Sequence, residues 1–158
     1  MKDHKSIVIA LLSILLLLIP TLSSADQVLK KVHIAKDAFG ANISIYLTNK
    51  ITDADISLNL TRTTGDENKK IYFTTNKSEA DYVIEFKDTA EKGEIDIYFT
   101  HSYAEADIRV YFTKSVSEAD KSIQFVNSKE SSDISIYVDN NNLSRNKLLA
   151  LLAALKFI

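Results

Sequence analysis

Carboxylates are plentiful in this sequence, and they recur at fixed places. Asp53-Ala-Asp55, Glu79-Ala-Asp81, Glu105-Ala-Asp107 and Glu118-Ala-Asp120 each close a polar stretch between two apolar ones. Carboxylates stacked along successive turns could make an oxygen cage for calcium. Calcium-binding rolls, however, use Gly-rich turns and a shorter repeat. Asp at a strand end more commonly accepts hydrogen bonds from backbone N–H groups and so sets a turn. The acidic turns are therefore read as structural, and no metal or cofactor is expected. Tyrosines form the second pattern: Tyr46, Tyr72 and Tyr98 recur every 26 residues, and Tyr111 and Tyr137 repeat that interval. On an outward sheet face they would make an aromatic ladder for a glycan or an envelope protein. Cross-strand packing is the plainer use of the same residues. Acid–base candidates are few. Past the first 25 residues only His33 and His101 remain as histidines. Glu85 with Asp96 is one carboxylate pair that the pattern allows. Cysteine is absent, which removes thiol nucleophiles, thiolate metal sites and disulfides. No Gly-x-Ser-x-Gly elbow, His-Glu-x-x-His or phosphate-cradling glycine loop is present. No catalytic residue is assigned.

These residues are carried by a 13-residue repeat that runs without insertion through nine units, roughly Lys30–Asn142. Val32, Ile45, Leu58, Ile71, Ile84, Ile97, Val110, Ile123 and Ile136 hold one equivalent position. Ile34, Leu47, Leu60, Phe73, Phe86, Phe99, Phe112, Phe125 and Val138 follow two residues later. All of these are apolar, while the residue between them varies from His33 to Glu85 to Tyr98. Apolar–variable–apolar alternation is the period of a β-strand with one buried face. One such unit cannot bury its own face, so the units must stack into a shared interior. The expected fold is all-β: nine strand–turn units in two facing layers or a solenoid-like sheet. Gly40, Gly65 and Gly93 replace the acidic turn in units one, three and five, a 26-residue modulation that favours two layers. After Asn142 the pattern ends. Ser144 can cap a helix whose leucines, Leu148 to Leu155, would cover an exposed sheet edge.

Residues 1–25 read as a secretory signal peptide. Lys2 and Lys5 precede the apolar run Ile7–Ile19, Pro20 ends it, and Ser23-Ser24-Ala25 supplies small residues at the cleavage site. The run is short of the ~20 apolar residues that a membrane span needs. The expected organisation is thus a signal peptide over 1–25, a β-repeat domain over 26–142 and a C-terminal helical cap over 143–158. The product would be periplasmic or secreted, with no stable membrane span after cleavage. Lys+Arg number 19 against 21 Asp+Glu, without the basic excess that nucleic-acid binding usually requires.

The unit Glu-Ala-Asp-x-x-Val/Ile-Tyr-Phe, best kept in Glu105–Phe112, resembles that of an uncharacterised bacterial family of short tandem-repeat proteins. Arg145-Asn146-Lys147 is similar to that family's ending, although Leu143 and Ser144 stand where Gly and Trp would be expected. The resemblance covers Val32–Lys147. It implies a compact all-β fold, threaded in some members into a deep torus knot, and it brings no activity and no catalytic residues. The expected function is binding or scaffolding in the cell envelope. An envelope hydrolase using repeat-borne carboxylates and a secreted inhibitory or defence protein are the alternatives.

Overall fold

A computed structural model describes residues 27–62, 69–89, 95–139 and 142–158. The expected signal peptide and the turns holding Gly65 and Gly93 lie outside these residues. Every apolar pair of the repeat falls on a strand. The strands are β1 (Val28–Ala35), β2 (Ile43–Thr48), β3 (Ile56–Thr61), β4 (Lys69–Thr74), β5 (Tyr82–Lys87), β6 (Ile95–Phe99), β7 (Ile108–Thr113), β8 (Lys121–Val126) and β9 (Ile134–Val138). A helix, α1 (Arg145–Ala154), follows.

The strands form one closed barrel in the order β1-β5-β9-β4-β8-β3-β7-β2-β6, and β6 pairs back to β1. All pairings are parallel. This corrects the two-layer expectation: a single sheet closes on itself. Consecutive strands are never neighbours. Each new strand lies two places round the ring from the last, so β1 to β5 make one lap and β6 to β9 fill the gaps on a second. The 26-residue modulation has its origin here. Turn types alternate through the sixth unit, and the ring order gathers the acidic turns that follow β7, β2 and β6 onto one arc.

Hydrogen-bonded partners lie 54 or 63 residues apart, as for Val28 with Tyr82 and Val32 with Ile95. These offsets are four repeats plus two residues and five repeats minus two. A two-residue shift is even, so every Ile-type side chain still faces inward. It also staggers each strand against the next, which tilts the strands and widens the barrel.

The interior is apolar. The first apolar position is buried in all nine strands, from Val32 to Ile136; the second packs beside it, partly buried except at Val138, which is buried. Helix α1 fills the remaining space. Leu149, Ala150, Leu151 and Leu152 are all fully buried. Four consecutive residues point to every side of a helix, so α1 is surrounded rather than laid on a surface. It packs against β1 and β6, and its side chains join the same core as the strand isoleucines. The expectation of a helix over a sheet edge is corrected, because a closed barrel has no edge to cover. Ser144 caps α1 as expected, its Oγ accepting from the Lys147 N–H at 3.3 Å. Two cations of the helix start reach the barrel wall: the Arg145 guanidinium stacks 4.0 Å from the Phe112 ring centre, and Lys147 lies 5.3 Å from that of Phe86. Among the described residues no helix is long and apolar enough to cross a membrane.

Candidate functional site

Because each strand is two places from the last, the connection between them must pass over the strand that lies between. It passes on the outside, since Ser44 and its equivalents point away from the buried face and bond to the passing chain. Among the described residues four overpasses contain a 3-10 turn: Ile51–Asp53, Lys77–Glu79, Tyr103–Glu105 and Val116–Glu118. A strand-end threonine starts each of these four. The hydroxyls of Thr48, Thr74, Thr100 and Thr113 accept from the N–H two residues on, at 3.0–3.1 Å.

The repeated acid ends the overpass, where it grips the strand just crossed. Over β2, Asp107 Oδ2 accepts from the Ser44 N–H at 2.7 Å and from the Ser44 hydroxyl at 2.6 Å. The Asp107 N–H donates to the Ser44 carbonyl at 3.0 Å, and the Ser44 hydroxyl also reaches the Glu105 carbonyl at 2.8 Å. Asp120 repeats the set on Ser57 of β3 with the same spacing. Asp81 makes it on Ser135 of β9, where the N–H bond is 2.6 Å and the hydroxyl bond 2.8 Å. Asp55 on Arg109 and Asp133 on Lys70 keep the backbone half of the clamp. Asn42 does the same over β6, accepting from the Asp96 N–H at 2.7 Å. The Ser44 hydroxyl, and after it the Ser44 N–H, holds the Asp107 carboxyl below its ordinary value; Ser57 does so for Asp120. These acids do set turns, but by bonding strands 54 or 63 residues away rather than their own backbone. The signal that would have shown this is Ser one residue before the core position, in Ser44, Ser57 and Ser135.

Among the described residues no group of three or more His, Asp or Glu is close enough to hold a metal ion. Glu85 and Asp96 lie on β5 and β6, on either side of β1, and each has its own partner. Glu85 is 3.2 Å from Lys87 and 3.5 Å from Lys77, and the hydrogen bond from Lys87, first of these influences, keeps its carboxyl below the usual range. Asp96 is 2.8 Å from His33 Nδ1.

The five tyrosines face outward, half-buried, in two groups. Tyr111, Tyr46 and Tyr98 lie on the adjacent strands β7, β2 and β6; Tyr72 and Tyr137 lie on β4 and β9. No two stand level. Tyr98 is opposite Ser44, Tyr46 opposite Arg109 and Tyr111 opposite Thr48. The stagger turns the expected ladder into a diagonal row of three and a diagonal pair, split by β8 and β3, where Gln124 and Asn59 are buried instead. Above the row of three, Tyr103 stands edge-on to Tyr46 with ring centres 6.0 Å apart, and Arg109 stacks 4.6 Å from the Tyr103 ring centre. Arg109 is itself held by Asp55 at 2.8 Å. Tyr103 was not among the expected ladder residues, since it belongs to a turn and only the crossing brings it over β2.

The overpasses of this arc share another feature. Val116, Ile51 and Tyr103 open their 3-10 turns at one repeat position, and the turns pass over the neighbouring strands β3, β7 and β2. They are 49%, 43% and 47% exposed. Phe39, at the tip of the overpass across β6, is 97% exposed beside Gly40, whose positive φ of 80° closes that turn. Across the ring the equivalent position holds Lys77 and Lys129.

Residues 22–109, more than half of the chain, match the model of the 7(1) septoil knot domain. The chain belongs to the septoil knot domain family. An interleaved two-lap winding with overpasses is the geometry of a torus knot, and the septoil match ends inside β7. The strands beyond it, β8 and β9, keep the same pairing offsets as the matched septoil region. No curated protein and no solved structure matches the chain.

Proposed function

We propose that this septoil knot protein is an exported binding or scaffolding protein of the cell envelope. On this reading Glu-Ala-Asp-x-x-Val/Ile-Tyr-Phe is a crossing motif, in which the acid grips a strand and the aromatic residues wall the barrel. The observation that carries the reading is the apolar arc of Val116, Ile51, Tyr103 and Phe39 above the row Tyr111, Tyr46 and Tyr98. Side chains exposed by 43–97% in one row form a surface that association would dehydrate. The aliphatic members favour an envelope protein over a glycan, because sugars stack on aromatic rings and gain little from Val or Ile. The hydrolase alternative has weaker support, since the repeat-borne acids already accept hydrogen bonds at the crossings. Export rests on the N-terminal signal.

The test is affinity capture from envelope extract with the wild-type chain and with Ile51→Ser/Tyr103→Ser. One envelope protein retained by the wild type and lost by the variant is expected. Equal retention by both removes the arc from the proposal, and retention of a glycan fraction alone moves it to the tyrosines. Amino-terminal sequencing of the mature protein, expected to begin at Asp26, tests export.

A further inference from the structure

The mouth through which α1 enters the barrel holds a cavity of about 510 Å³, on the arc of β1, β5 and β9. This volume is within the range of small-molecule sites. Ile34 and Phe86, the second apolar residues of β1 and β5, give it an apolar wall. Its charged lining comes from separate parts of the chain. Lys36 follows β1, Lys87 ends β5 with Asp88 behind it, Asp139 follows β9, and Lys147 belongs to the first turn of α1. Nothing in the crossing geometry calls for these charges, since the clamps use the opposite ends of the strands. Some of them are already fixed: Lys147 lies over the Phe86 ring, Lys87 reaches Glu85 at 3.2 Å, and Asp139 accepts from the Tyr137 hydroxyl at 3.4 Å.

Among the described residues, three ammonium groups and two carboxylates line the same cavity. A simple anion would meet the two carboxylates and a simple cation the three lysines, so each is opposed by part of the wall. A ligand of both signs meets complementary charge throughout. Among the described residues the lining has one excess positive charge, which matches a ligand with one more carboxylate than ammonium. We propose that this cavity binds an acidic amino acid or a short acidic peptide, with its carboxylates among the lysines and its ammonium toward Asp88 and Asp139.

The experiment is a ¹H–¹⁵N titration of the full chain with L-glutamate and with alanyl-glutamate. Saturable shifts confined to residues around Lys36, Asp88, Asp139 and Lys147 are expected. N-acetyl-glutamate, which lacks the ammonium, should bind at least about tenfold more weakly, and Lys36→Gln and Asp139→Asn should each weaken alanyl-glutamate by a similar factor. Both variants are exposed and conservative in shape, and unshifted resonances on the overpasses would show that they fold. No saturable shift up to about 10 mM overturns the proposal, since that concentration lies beyond any useful affinity. Equal binding of N-acetyl-glutamate overturns it in favour of a simple anion site, and unchanged affinity in both variants places the ligand elsewhere. The site shares the β1–β2 connection with Phe39, but it would be read by its charges rather than by the apolar arc, so its failure leaves the envelope-binding reading intact.

Discussion

The crossing over β2 and the seams of β1 hold the chain by different means. At β2 the repeat is intact, and the overpass is locked by Asp107 and Ser44 through short hydrogen bonds. Leu29, which holds the clamping acid's position in β1, is exposed. The first strand is held by the Gln27 amide on the Lys77 and Ala80 carbonyls, by the Val28 N–H on the Asp81 carbonyl at 3.0 Å, by the His33–Asp96 pair and by α1 packed on its inner face. The difference teaches that the carboxylate belongs to the crossing rather than to the strand. Where an overpass must be fixed to the strand beneath it, a buried hydroxyl and an acid do so. The first strand also packs against the helix on its inner face.

The largest test of that division removes the helix's part. Leu152→Ala, fully buried in α1, should cost about 2–5 kcal/mol in denaturant unfolding. The cost should appear first as loosened amide protection on β1 and β6. Uniform loss of protection round the barrel would show that α1 is not specific to that side.

The second removes a clamp. Ser135 is fully buried and gives its hydroxyl to Asp81 and to the Glu79 carbonyl, so Ser135→Ala should cost about 1–3 kcal/mol. Amides of the Lys77–Glu79 overpass should exchange faster. A change below about 0.5 kcal/mol, the scale of ordinary surface substitutions, would mean that the hydroxyl contributes nothing to the crossing.

Acid should separate clamped from unclamped regions. Asp107 and Asp120 have carboxyls lowered in the folded state from the usual 3.8, so their stabilisation is complete above that pH and disappears as pH falls through the lowered values. Unfolding midpoints should therefore drop on acidification below about pH 4, the ordinary carboxylate range. The overpasses across β2 and β3 should loosen before the one across β6, where Asn42 makes its hydrogen bond without a titrating group. Asp107→Asn with Asp120→Asn should flatten the acid limb; an unchanged limb would place its origin in other carboxylates.

The smallest effect is expected at the arc. Phe39→Ser, at a side chain 97% exposed, should leave the unfolding midpoint within about 0.5 kcal/mol of wild type. A larger loss would show that the tip stabilises the fold and is no free surface.

Strands were legible because alternation is a local property: each Ile–x–Phe trio fixes which side chains share a face without knowledge of any partner. The nine isoleucine-type positions were legible for the same reason, and all are buried. The clamps were half legible. The acid at the end of each turn stood out, but Ser44 and Ser57 are 63 residues away from the acids that hold them, and their place just before the core position does not say which acid each one meets. Tyr103 could not be placed from the sequence because Tyr46, the ring it meets edge-on, lies on the other lap.

By itself the sequence determined the all-β class, the count of strands, the inward face of each and the presence of a capped terminal helix, all of which follow from the 13-residue period and its interruption after Asn142. It could not determine which strands pair. Identical repeats keep the same face inward at every whole multiple of the period, and an even shift preserves it too, so alternation is blind to whether β1 lies beside β2 or between β5 and β6. Only the assembled molecule decides that, because the ring must be wide enough to enclose α1 yet narrow enough for the strand side chains to pack against it. Nine staggered parallel strands, laid in two interleaved laps, meet that volume.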